Sequence, residues 1–129
     1  MKKILFMATL LVAGFVNAQS SPEIVFQKTA HSFGKIKQNV PATYIFTFTN
    51  NGNKPAVIEF ANAECGCTTP EYSKDPILKG KSSTIKVTYN AATIGIFKKK
   101  VNIKFANQRL PMVLTIDGEV IPAAKGKTK

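Results

Sequence analysis

Ala42-Thr43-Tyr44-Ile45-Phe46-Thr47-Phe48-Thr49-Asn50, followed by Asn51-Gly52-Asn53, is the stretch that decides the fold. Tyr44, Phe46 and Phe48 share one face of an extended chain, and Thr43, Thr47 and Thr49 take the other. A period of two is the mark of a strand half-buried against a core. Asn50 to Asn53 then reads as a turn, because Asn and Gly tolerate positive φ.

The same alternation recurs on both sides. Ile24 and Phe26 begin it, and Ile58 and Phe60 share a face within residues 56–61. Ile85, Val87 and Tyr89 alternate with Thr84, Lys86 and Thr88. Val101, Ile103 and Phe105 alternate with Lys100, Asn102 and Lys104, and Met112, Leu114, Ile116 and Val120 close the series. No long window shows the three- and four-residue steps of a helix. Lys79-Gly80-Lys81 and Ile94-Gly95 supply further turns, and Pro41, Pro55, Pro76 and Pro111 fall between runs or at their edges, where a missing N–H costs little. About seven short strands in roughly 100 residues is a sandwich signature.

The chain has 129 residues, 44% of them hydrophobic and 19% charged, which fits one globular domain and argues against disorder. It is too short for a TIM barrel or a two-half Rossmann domain, and it has no P-loop, GxSxG or HExxH. Met1-Lys2-Lys3 is a basic start, and Ile4 to Val16 is an apolar run shorter than a bilayer span. Val16-Asn17-Ala18 places small residues before a cleavage point at Gln19. A signal peptide over residues 1–18 is expected, then a β-sandwich domain over 19–121 and a flexible basic tail over 122–129. The location is expected to be periplasmic or secreted, with no membrane span after cleavage. The mature chain carries 16 basic and 7 acidic residues, a net +9. An envelope protein, or an anionic glycan or lipid surface, suits that charge. No cofactor is expected. Nor is nucleic acid, because the interleaved exposed aromatics of a single-strand groove are missing.

Several motifs now stand in order: His31-Ser32-Phe33-Gly34-Lys35-Ile36, Phe46 to Gly52, Cys65-Gly66-Cys67-Thr68, Val87-Thr88-Tyr89-Asn90, Gly95-Ile96-Phe97-Lys98-Lys99 and Leu114 to Val120. Together they resemble the bacterial exported domain-of-unknown-function family number 1573, over about Phe26 to Val120. The Cys-Gly-Cys-Thr is the most specific part. The resemblance implies an immunoglobulin-like antiparallel β-sandwich, similar to pilus-chaperone and major-sperm-protein domains.

Cys65 and Cys67 are the only cysteines, so the inter-sheet disulfide of antibody domains is excluded. Four readings of the pair stand open. Export favours a local disulfide that pins a loop. Such a small ring removes little unfolded-state entropy and strains the bond, which makes it labile. A redox-active dithiol follows the logic of Cys-x-x-Cys. Two thiolates at Cys-x-Cys spacing also suit a soft metal such as Cu(I), with His31 and Met112 as the remaining soft donors. Crosslinking between chains is the fourth. Gly66 is expected to supply backbone freedom to the ring, and Thr68 to support the loop.

His31 is the sole histidine. As a general base with Ser32 it is badly placed, since adjacent strand residues point to opposite faces. A strand-edge histidine is the expectation. The carboxylates Glu59, Glu64, Glu71, Asp75, Asp117 and Glu119 are scattered. The chain is expected not to be an enzyme. Lys98, Lys100 and Lys104 share the outward parity of one strand, and Lys86 joins them if the strands ending at Asn90 and starting at Ile96 form a hairpin. Such a cluster reads either as an anion-binding face or as a solvated strand whose lysines protect a sheet edge.

Overall fold

The computed structural model describes residues 23–123, together with Gly14 alone. The rest of the expected leader and residues 124–129 of the expected tail lie outside the described residues. Eight strands follow in order: β1 (Ile24–Phe26), β2 (Ala30–Lys37), β3 (Ala42–Asn50), β4 (Ile58–Ala63), β5 (Thr68–Tyr72), β6 (Ser82–Tyr89), β7 (Gly95–Phe105) and β8 (Met112–Ile121). They form two four-stranded sheets, ordered β1-β3-β6-β5 and β2-β8-β7-β4. This is the expected immunoglobulin-like sandwich.

The decisive stretch behaves as its alternation demands. β3 lies antiparallel to β6, from Ala42 opposite Tyr89 to Thr49 opposite Ser82. Phe46 and Phe48 face inward with no exposure, beside Ile85 and Val87. Val101, Ile103, Phe105, Leu114, Ile116 and Val120 approach from the other sheet. Phe48 meets Phe105 edge-on across the layers, with ring centroids 5.3 Å apart, a geometry that suits the ring quadrupoles.

Four features depart from the expectation. First, β5 is an additional strand. Thr68-Thr69-Pro70-Glu71-Tyr72 lacks apolar alternation, yet it pairs with β6 at the sheet edge, where a proline is tolerated. Second, β2 runs parallel to β8, so one pairing in the sandwich is not antiparallel. Third, β6 and β7 belong to different sheets and form no hairpin. Fourth, residues 50–53 do not use positive φ, unlike Gly80 (φ 77°) and Gly95 (φ 123°). That turn is built around the side chain of Asn50, which is 1% exposed. Its Nδ2 donates to the carbonyls of Lys54 and Ile77, each at 2.8 Å, and its Oδ1 accepts from Gly52 N at 2.9 Å. A buried amide saturated in this way replaces backbone strain as the turn's organiser.

The β2–β8 pairing contains a bulge. Ser32 stands opposite Asp117 and Lys35 opposite Glu119, so Phe33 and Gly34 together face the single Gly118. Gly34 takes φ 67° there, which only glycine adopts without cost. A Cβ on Gly118 would lie 2.8 Å from the Gly34 carbonyl oxygen and 2.9 Å from the Phe97 ring. Both glycines are therefore fixed by the geometry of this corner.

Candidate functional site

The two cysteines sit on a crossover between sheets. β4 ends at Ala63 in one sheet and β5 begins at Thr68 in the other, so Cys65-Gly66-Cys67 carries the chain across the end of the sandwich. Glu64 N donates to Lys100 O on β7, and Asn90 N donates to Cys67 O. The Cα atoms of Cys65 and Cys67 are 5.2 Å apart and their sulfurs meet within bonding reach, inside the range that a disulfide spans. Thr68 is 3% exposed. Its Oγ1 lies 3.8 Å from the Cys65 sulfur and 3.7 Å from the Cys67 sulfur. Gly66 does not do what its sequence position suggested. It lies outside the left-handed region, and a Cβ there would meet nothing within 4 Å. The ring closes without special backbone at Gly66.

Cys67 also lines a cavity of about 390 Å³, shared with Tyr89, Thr93, Ile94, Lys98 and Lys99. Among the described residues, no group of three or more His, Cys, Asp or Glu side chains is placed to hold a metal ion. His31 is elsewhere on β2, half-buried, with its ring stacked on Tyr44 at 3.7 Å and edge-on to Phe33 at 4.8 Å. Partial burial lowers its pKa, and Lys28 adds to that while Asp117 opposes it. Ser32 is exposed on the opposite face, across from Asp117.

The lysines do not form one patch. Lys86 is on β6, in the β1-β3-β6-β5 sheet, opposite Ile45 and Glu71, and its Nζ lies 3.8 Å from Glu71. It is therefore not beside Lys100, because the hairpin that would join them does not form. Lys98, Lys100 and Lys104 do share the outer face of β7. That strand lies inside its sheet, between β8 and β4, so its lysines protect no edge. Lys98 faces Asp117 and Lys100 faces Thr115, while Lys104 pairs with Glu59 at 3.4 Å. The face is mixed in sign.

A second, shallow and open depression, of about 410 Å³, lies at the β2 bulge. Its walls are largely apolar, and Lys35, Lys98, Asp117 and Glu119 stand among its lining residues with Ile96, Phe97, Gly34 and Gly118. Ile96 is 87% exposed and borders both the cavity and the depression. Neither Ile96 nor the bulge emerged from sequence reasoning as a site. The signal was present: Ile96 has the same outward parity as Lys98 and Lys100, where an apolar residue is out of place.

No curated protein matches the sequence. The fold is similar to the PapD-like domain 7 of human CEP192, at 8% identity and TM-score 0.69, covering 87% of this chain and 96% of that one. A protein of unknown function from Porphyromonas gingivalis W83 is similar at 12% identity and TM-score 0.65, over 80% of this chain and 51% of that one. The secreted serine protease VesC from Vibrio cholerae is similar at 16% identity and TM-score 0.61, over 79% of this chain but only 24% of the protease. Identities this low bear on fold alone. The family model for proteins of unknown function designated DUF1573 matches residues 24–120, nearly all of the described sandwich, and the chain belongs to that family.

Proposed function

We propose that this protein is an exported, non-catalytic binding module of the cell envelope, and that it engages a protein partner through the outer face of the β2-β8-β7 sheet. One observation carries the reading: Ile96, 87% exposed, projects beside a wide, open apolar depression of about 410 Å³. Contiguous exposed apolar surface rimmed by polar side chains marks interaction sites, and Ile96 extends the apolar lining of this depression. The ring carries both signs, with Lys35 and Lys98 against Asp117 and Glu119. A polypeptide segment with an apolar side chain and flanking charges complements that pattern, whereas a glycan or lipid polyanion is repelled by the two carboxylates. The basic start and apolar run of residues 1–18 support export. In an oxidising compartment Cys65 and Cys67 are joined as a disulfide that pins the β4–β5 crossover.

The test is retention of envelope proteins on immobilised mature domain, at low and moderate salt, with Ile96→Asp as the comparison. A protein held by the native domain at both salts and lost with Ile96→Asp is the expected result. No retained protein, or one held equally by the variant, contradicts the proposal.

A further inference from the structure

The Cys65–Cys67 pair is asymmetric in its surroundings. Cys67 lines the cavity of about 390 Å³, together with Lys98 and Lys99, and Cys65 does not line it. The cavity thus opens on the Cys67 side of the pair, where Cys67 also packs against the core, and the neighbouring ammonium groups favour the approach of an anionic thiolate there. Thr68 presents the second asymmetry, between oxidation states. Its hydroxyl is buried, and the two sulfurs are its hydrogen-bonding neighbours among the described residues. A disulfide sulfur is a weak acceptor, but a thiolate is a strong one. The hydroxyl is held where negative charge arises only when the bond opens, which is the arrangement that favours the opening itself.

We infer that the pair is a reducible disulfide with a fixed polarity: Cys67 is the sulfur attacked by an external thiol of the glutathione class, and Cys65 is the leaving thiolate, received by a hydrogen bond from Thr68. In the first step the external thiolate bonds to Cys67 Sγ as the Cys65–Cys67 bond breaks, and the electron pair leaves on Cys65 Sγ. In the second step another external thiolate attacks the sulfur bound to Cys67. The external disulfide departs and Cys67 is left as a thiolate. Two external thiols are oxidised and one protein disulfide is reduced. Both cysteines are half-buried rather than sealed in the core, and accessible disulfides are the more labile ones.

The inference is tested on the mature protein with reduced glutathione, with rapid alkylation to stop the exchange and mass spectrometry to map the products. The expected first product carries glutathione on Cys67 and the alkyl group on Cys65. Thr68→Val should slow the opening about tenfold, the worth of a hydrogen bond to a charged group, and should move alkylation of the Cys65 thiol to higher pH. Thr68→Ser keeps the hydroxyl and should behave like the native protein, which separates loss of the hydrogen bond from loss of folding. Glutathione on Cys65, an equal split between the sulfurs, free thiols in the unreduced protein, or an unchanged rate in Thr68→Val would each overturn the assignment.

Discussion

Gly118→Ala tests the corner on which the proposed binding face is built. The added methyl would stand 2.8 Å from the Gly34 carbonyl oxygen and within 3.0 Å of two carbons of the Phe97 ring. Such contacts are well inside ordinary van der Waals separation. Neither neighbour can yield easily. The Gly34 oxygen belongs to a backbone bulge with φ 67°, and the Phe97 ring is stacked on Tyr89 at 4.0 Å. Overpacking a site of this kind costs about 1–3 kcal/mol, and two rigid neighbours keep the expectation from the low end, at about 2 kcal/mol. With a urea slope of about 1–3 kcal/mol/M for a domain of this size, the midpoint should fall by roughly 1 M. Urea unfolding followed by circular dichroism measures it. Phe97→Leu removes one of the two obstructions, so the double variant should be more stable than additivity allows, by about 0.5 kcal/mol or more. A loss below about 0.5 kcal/mol for Gly118→Ala, typical of an unconstrained surface site, would show that the corner is not tightly packed, as would strict additivity with Phe97→Leu.

Three further outcomes are expected. Asn50→Ala leaves the buried Gly52 N–H without its acceptor and removes two bonds to carbonyls; at about 1–3 kcal/mol for each buried group left unpaired, the loss should reach about 2–4 kcal/mol in the same urea assay. Gly66→Ala should change stability by less than about 0.5 kcal/mol, since the backbone there is not left-handed and the methyl meets nothing. The folded state lowers the His31 pKa from its ordinary value of 6.5, so the unfolded chain takes up its proton first as pH falls. Stability should therefore decline as pH drops through the window just below 6.5, and His31→Phe should remove that part of the decline in pH-dependent thermal unfolding.

The sandwich was legible because its strands bury one face each. Tyr44, Phe46 and Phe48 share one parity, with only Ile45 breaking the polar run on the other, and the inward parity of Val101, Ile103 and Phe105 was equally plain. β5 was not legible: Thr68 to Tyr72 is an edge strand interrupted by Pro70, and its place is set by pairing with β6 rather than by its own pattern. The lysines show the limit most clearly. Parity along β7 correctly joined Lys98, Lys100 and Lys104, but whether Lys86 stood near them depended on which sheet β6 entered, and short-range pattern does not encode that. The same limit hid the counter-charges, because Glu59 comes from β4 and Asp117 from β8. At Asn50 the composition marks a turn but points to the wrong mechanism. Composition signals permissive backbone, while the actual device is a saturated amide whose partners at Lys54 and Ile77 lie outside the motif. Thr68 was visible beside the cysteines, but its contact with both sulfurs depends on burial at the crossover.

On the proposed reading, the outer β2-β8-β7 face around Ile96 meets a protein of the envelope. Site-specific photo-crosslinking in intact cells tests it most directly, with the photoreactive side chain placed at Ile96 and, as a control, at Ile45. Ile45 is also solvent-exposed, at 53%, but it lies on β3 in the opposite sheet. A discrete adduct to one envelope protein from position 96, with none from position 45, is the predicted result. No adduct from position 96, or the same adducts from both positions, would contradict the account.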